Sequence, residues 1–184
     1  MYNMNNIYLL YGTQSGNAQA ITNHIYSLLF DKNCQCNHMS LNQTIESGNF
    51  NFIEINEPVV LIVVCSTYGN GDAPETASHF WRKIKNRNIP NNLFKNIRYA
   101  VMGLGDTNYD KFCNMGKNID KRFKELGGER VIELHCADEA SNMETTVDSF
   151  VEKVFNFLVT QNILQFFVRK NIKMCFLYFF EIIL

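Results

Sequence analysis

Short, unbroken apolar runs alternate along this chain with longer stretches in which apolar residues return every third or fourth position. Residues 7–11 and 59–65 are bounded by turn residues and too short for helices, which predicts strands buried on both faces of a parallel sheet. Residues 97–103 and 131–135 read the same way, and residues 36–41 are the weakest strand candidate. Helical stripes fall between and after them: Ile21, Ile25, Leu28 and Leu29; Ala77, Phe80, Trp81 and Ile84; Met115, Ile119, Phe123 and Leu126; Val147, Phe150, Val151, Val154 and Leu158. Capping-box spacing precedes two of them, Asp72 with Glu75 and Ser141 with Glu144, and Pro74 suits a first helical turn. Gly127 and Gly128 should end the Phe123 helix in a left-handed turn. Residues 42–57 lack a firm period and are expected to be loop with at most a short helix.

Alternation of strand and helix makes parallel pairing through right-handed crossovers the economical topology. The expected fold is α/β, a doubly wound sheet of about five strands, formed by residues 1–160. Residues 161–184 turn abruptly toward Phe, Ile, Leu, Lys and Asn and are expected to lie outside it as an atypical hydrophobic tail. The uncharged run 174–180 is far below the roughly 20 apolar residues a membrane span needs, and Lys173 and Glu181 flank it. Its residue types are those that A/T-rich codons encode, so an end foreign to the fold explains it better than an anchor.

Composition narrows the function classes. With 184 residues, 46% of them hydrophobic and only 19% charged, the chain can bury one sizeable core. The 17 Lys and Arg against 18 Asp and Glu leave no basic field to hold phosphate backbones or an anionic membrane, so neither nucleic acid nor a membrane is an expected partner. The 6 cysteines include no CxxC pair and no histidine at zinc-ligand spacing, so no metal site is expected. The N-terminal residues lack a basic, then apolar, leader pattern. A cytoplasmic location with reduced thiols follows as the expectation, each Cys serving as a small buried hydrophobe.

In an open parallel sheet, ligands sit beyond the carboxyl ends of the strands where the winding reverses. Three loops there carry special residues. The first, Gly12-Thr13-Gln14-Ser15-Gly16-Asn17-Ala18, puts hydroxyls and backbone donors at a helix N-terminus, which suits a cofactor monophosphate; the missing Lys excludes a Walker A loop. The second, Ser66-Thr67-Tyr68-Gly69-Asn70-Gly71-Asp72, lets the backbone approach a flat ligand edge while Tyr68 lies on a ring face. The third runs from Gly103 and Leu104 through Gly105, Asp106, Thr107, Asn108 and Tyr109 to Asp110, Lys111, Phe112 and Cys113, and its spacing disfavours a nicotinamide dinucleotide site. Each alone could be an ordinary glycine turn. Their convergence points to a planar phosphorylated cofactor between Tyr68 and Tyr109.

No GxSxG, HExxH or Ser/His/Asp arrangement lies on these loops; His24, His38 and His79 fall in helices or the doubtful strand, and His135 reads as a partly buried core residue. No catalytic side chain is expected, so the chemistry belongs to the cofactor, and electron transfer suits that absence of acid/base machinery.

GTQSGNA, STYGNGD and GLGDTNYDKFC, in this order, resemble the phosphate loop and two isoalloxazine loops of the flavodoxin-like FMN domains of diflavin reductases, over about residues 6–158. The resemblance implies strand order 2-1-3-4-5 and FMN as cofactor. It implies that Thr13, Gln14, Ser15, Gly16 and Asn17, with Ala18 beside them, hold the phosphate. Ser66 to Asn70 and Leu104 to Cys113 would frame the ring, with Tyr68 and Tyr109 on its faces and Asp138 near the ribityl or ring edge. The Gly69–Asn70 peptide would lie near flavin N5, where a flip can exchange hydrogen bonds.

FCNMGKNIDKRFKELGG and HCADEASNMETTVDSFVEKVF resemble methionine synthase reductases most, while MGKNIDKRFKELG is also similar to haem-monooxygenase reductases. The implied role is one-electron transfer through FMN, as the FMN half of an NADPH-dependent enzyme that reactivates cobalamin-dependent methionine synthase. The donor would be an FAD- and NADPH-binding module, before which this chain stops. Alternatives are a stand-alone flavodoxin-like carrier, the FMN domain of another diflavin reductase, or a flavodoxin fold that has lost its cofactor. Asp72, Glu75, Asp106, Asp110, Asp138 and Glu139 would form an acidic rim that steers a basic redox partner.

Overall fold

The computed structural model describes residues 6–46, 55, 57–141 and 143–164. Its elements run β1 (Ile7–Gly12), α1 (Asn17–Phe30), β2 (Asn37–Ser40), α2 (Gln43–Glu46), β3 (Val59–Ser66), a 3-10 turn (Glu75–Ala77), α3 (Ser78–Ile84), β4 (Ile97–Gly105), α4 (Asn114–Glu125), β5 (Glu129–Arg130), β6 (His135–Asp138) and α5 (Met143–Thr160). All strand pairs are parallel, in the order β2-β1-β3-β4-β5, with β6 also on β4. The order 2-1-3-4-5 is the one expected, β5 and β6 together standing as its fifth strand.

The central strands are apolar on both faces because each face meets a helical layer. Along β3, Val60, Ile62 and Val64 enter one core with Ile25 and Leu29 of α1 and Phe150 and Val154 of α5. Val59, Leu61, Val63 and Cys65 enter the other with Phe80 of α3 and Ile119 and Phe123 of α4. This two-residue alternation is the strand period read out by two layers. Phe123 centres the second core, its ring edge-on to Phe94, Tyr99 and Phe80 at 5.0, 5.2 and 6.1 Å. Truncating such a buried ring costs about 3–5 kcal/mol.

The structure corrects two expectations about local elements. The strand expected at residues 131–135 is instead a break: Tyr99 pairs with Arg130 and Met102 with His135, so two residues of β4 face four of the fifth strand. Within that bulge Ile132 turns into the first core and Leu134 packs on the second, so apolar character marks burial there and not ladder pairing. The Asp72–Glu75 capping box also does not form. Asp72 pairs through its backbone with Tyr68, and the first amides of α3, at His79 and Phe80, donate to Asn42 Oδ1 at 3.0 and 3.1 Å. The cap arrives from a distant turn, satisfying the same helix donors.

Ser141 donates its hydroxyl to Asp138 at 2.9 Å. Gly127, at φ +90°, ends α4 in the left-handed turn expected. The short helix allowed within residues 42–57 is α2. Of residues 161–184, Ile163 and Leu164 pack on the first core, and 165–184 lie outside the described residues. Among the described residues, no helix is long and apolar enough to cross a membrane.

Candidate functional site

The winding reverses beside β1, whose neighbours are β2 and β3, and the carboxyl ends of β1, β3 and β4 open there. β1 ends in Gly12, and its loop is braced from behind. Thr13 is 6% exposed; its N–H donates to Thr76 Oγ1 at 2.7 Å and its carbonyl accepts from the same hydroxyl at 3.0 Å. The Thr13 hydroxyl accepts the Gly16 N–H at 2.8 Å, and Gln14 Oε1 accepts the Glu75 N–H at 3.0 Å. Gly16, at φ +101°, is the N-cap of α1, and a Cβ there would meet nothing within 4 Å. The first amides of α1 have no carbonyl of their own helix to pair with, and this open, positively polarised end favours an anion.

The loop after β3 is held differently. Tyr68 and Asp72 exchange backbone bonds of 3.0 and 2.8 Å around Gly69 and Gly71, at φ +51° and +89°. Asn114 Nδ2 donates to the Gly71 carbonyl at 2.8 Å, and Thr67 Oγ1 accepts the Met115 N–H at 3.1 Å. Thr67 thereby supplies the N-terminal cap that Cys113, at φ +52°, does not. Ser66 donates its hydroxyl to the Gly12 carbonyl at 3.2 Å, which ties the second loop to the first.

The loop after β4 turns on Asp106, whose carboxylate accepts the Asn108 N–H at 2.7 Å. Thr107 reaches across to Asp138, donating its N–H at 3.0 Å and its hydroxyl at 2.8 Å. The Ala140 N–H and Ser141 hydroxyl complete four donors on that carboxylate. Desolvation, which favours the neutral acid, is outweighed by these donors, and the Asp138 carboxyl is held at about 2. Lys117 donates to the Phe112 carbonyl at 2.7 Å and lies 5.1 Å from the centre of its ring, which fixes the end of the loop.

Between the second and third loops lies a crevice of about 350 Å³ lined by Ser66, Thr67, Gly69, Leu104, Gly105, Asp106, Tyr109, Lys111, Phe112 and Glu139. Tyr68 and Tyr109 stand 53% and 68% exposed, unusual for large aromatics. Asn70 is exposed beside Tyr68. Ser15 is exposed at the first loop, and Ala18 is buried under the first turn of α1. Asn17 donates its side-chain amide to Glu139 at 3.1 Å. Cys113 is fully buried and lies behind the wall. Sequence reasoning missed Thr76 and Asn114, which touch these loops from elsewhere and carry no motif of their own.

Residues 9–152 match the flavodoxin family. The chain belongs to this family. Its fold aligns with oxidised flavodoxin 2 from Bacillus cereus at a TM-score of 0.62 and 24% identity, over 84% of this chain and 98% of that one. It is 38% identical over 72% of its length to the sulfite reductase [NADPH] flavoprotein alpha-component of Buchnera aphidicola, and 36% identical over 80% to the methionine synthase reductase of Bos taurus. These relatives are diflavin reductases, as the three loop motifs implied. The flavodoxin-family chain spans about a fifth of their length, 21% in each case.

FMN is the cofactor of the flavodoxin family. The residues present fit it on their own geometry: a helix N-terminus opens beside a left-handed glycine, and two exposed tyrosines belong to the loops beside it. The crevice between those loops sets the hydroxyls of Ser66 and Thr67 and the charged Asp106, Lys111 and Glu139 among backbone and aromatic groups, polar partners that can orient a flat polar ring.

Proposed function

We propose that this chain is the FMN domain of a methionine synthase reductase-like enzyme, passing electrons to the cobalamin-dependent methionine synthase. The observation that carries electron transfer is the combination of a braced loop opening on the N-terminus of α1 with a crevice flanked by the exposed Tyr68 and Tyr109. FMN bound there would supply stepwise redox chemistry. The protein's part is to hold, orient and shield it.

Under this reading the Gly16 turn and the amides of α1 receive the phosphate, with Gln14, Ser15 and Asn17 around it. Thr13 sets the loop from behind. Tyr68 and Tyr109 cover the ring faces and exclude water, leaving an edge toward the partner. The Gly69–Asn70 peptide, between two left-handed glycines, is the backbone group free to reorient when the ring edge gains or loses a proton. Asp138 braces the third loop through Thr107, beside the ribityl or ring edge of the FMN.

Glu75, Asp72, Asp110 and Glu139 are exposed around this opening. They would steer a basic acceptor, and the rate of transfer should fall with added salt. An FAD- and NADPH-binding module is the proposed donor, and the proposed location is cytoplasmic.

The subfamily reading rests on Phe112-Cys113 and His135-Cys136-Ala137-Asp138. A second reading is supported by the sulfite reductase relative at 38% identity: the same domain would serve a sulfite reductase. Stopped-flow mixing of the reduced, FMN-loaded chain with each acceptor decides between them. Faster, salt-sensitive transfer to cobalamin-bearing methionine synthase supports the first; preference for the sulfite reductase partner overturns it.

A further inference from the structure

Two cysteines far apart in sequence meet behind the crevice wall. Cys136 of β6 is the register partner of Gly103 on β4, so its side chain leaves the sheet on the face where a Gly103 side chain would. Cys113, the left-handed residue before α4, occupies that same space: its Cβ lies 3.1 Å from where a Gly103 Cβ would stand. The Cys113 thiol lies 3.2 Å from the corresponding position at Gly105 and donates to the Ala137 carbonyl at 3.6 Å. It thus crosses β4 to the strand that carries Cys136, on the sheet face that Cys136 shares. Glycines at 103, 105 and 116 make this approach possible, since a Cβ at Gly116 would stand 2.5 Å from the Gly103 Cα.

We infer that Cys113 and Cys136 form a dithiol modification site, closed to an intramolecular disulfide by hydrogen peroxide. Cys136 is half-buried and Cys113 fully buried, so Cys136 is the thiol a small oxidant meets first. Its thiolate is favoured by the adjacent Cys113 thiol, which can turn to donate to it, against the cost of burial, with Lys117 adding in the same direction. Burial pushes Cys34, Cys36 and Cys65 the other way.

In the first step the Cys136 sulfur attacks one peroxide oxygen, the O–O bond breaks, and a sulfenic acid and one water result. The Cys113 sulfur then attacks the Cys136 sulfur, the S–O bond breaks, and a second water leaves with the Cys113 proton. Two thiols have lost two electrons and one peroxide has become two waters. The link ties the start of α4 to β6, joining by covalent bond two segments that border the crevice.

The test treats the full chain with a small molar excess of hydrogen peroxide, alkylates the remaining thiols after denaturation and maps peptides by mass spectrometry. The expected result is loss of two thiols, a Cys113–Cys136 disulfide in the monomer, and recovery of both with dithiothreitol. Cys136→Ser should leave Cys113 fully alkylated after the same dose, with circular dichroism checking that it folds; if that variant does not fold, Cys136→Ala takes its place. Oxidation of Cys136 to a sulfinic acid without pairing, its pairing with any other cysteine or another molecule, or two intact thiols at a dose that consumes glutathione would each overturn the inference.

Discussion

The first and second loops of the crevice are built in opposite ways. The loop after β1 is locked: Thr13 is tied through backbone and side chain to Thr76 and Gly16, and no space exists for a Cβ at Gly12, which would stand 2.6 Å from Cys65 Sγ. The loop after β3 is held at its ends by the Tyr68–Asp72 bridge and by Asn114, while a Cβ at Gly69 would find its nearest neighbour 3.9 Å away. A phosphate keeps its charge throughout a redox cycle, so its loop gains from rigidity. A ring edge changes its protonation, so the loop beside it gains from a peptide that can turn.

The largest effect should come from breaking the locked loop at its base. Gly12→Ala forces a methyl against Cys65 and Ala77 and should cost about 1–3 kcal/mol in chemical denaturation. Next, Thr76→Val leaves the Thr13 N–H without its acceptor, a loss of about 1–3 kcal/mol, and should weaken FMN binding about 10- to 100-fold in a fluorescence titration. Asn114→Ala sharpens the contrast from the other side. It frees the Gly71 carbonyl, so FMN affinity should change less than about tenfold, one ordinary hydrogen bond, while the gap between the two one-electron midpoint potentials shifts.

The smallest effect concerns pH. The Asp138 carboxyl is depressed in the folded state to about 2 from its ordinary 3.8, so its stabilising contribution is present above pH 4 and lost as pH falls toward 2. Asp138→Asn should lower stability above pH 4 by that contribution, flatten the acid-unfolding curve between pH 4 and 2, and meet the wild type near pH 2.

The core strands were legible because burial on both faces leaves unbroken runs such as residues 59–65, every one of them buried. The three loops were legible through glycines and hydroxyls at strand ends. The fifth strand was misread because its ladder residues, Glu129, Arg130 and His135 to Asp138, are more polar than the bulge between them. The Asp72–Glu75 signature failed because the Tyr68 bridge claimed Asp72 and Asn42 capped α3 from afar. Long-range partners such as Thr76, Asn114 and the Cys113–Cys136 pair leave no local pattern, since only sheet register brings them together.

Anaerobic spectroelectrochemical titration of the FMN-loaded chain tests the central claim, that this crevice is a flavin electron-transfer site, most directly. One FMN per chain and two resolved one-electron steps are expected, with potentials displaced from those of free FMN. Failure to take up FMN, or a single two-electron step at the potential of free FMN, would contradict it.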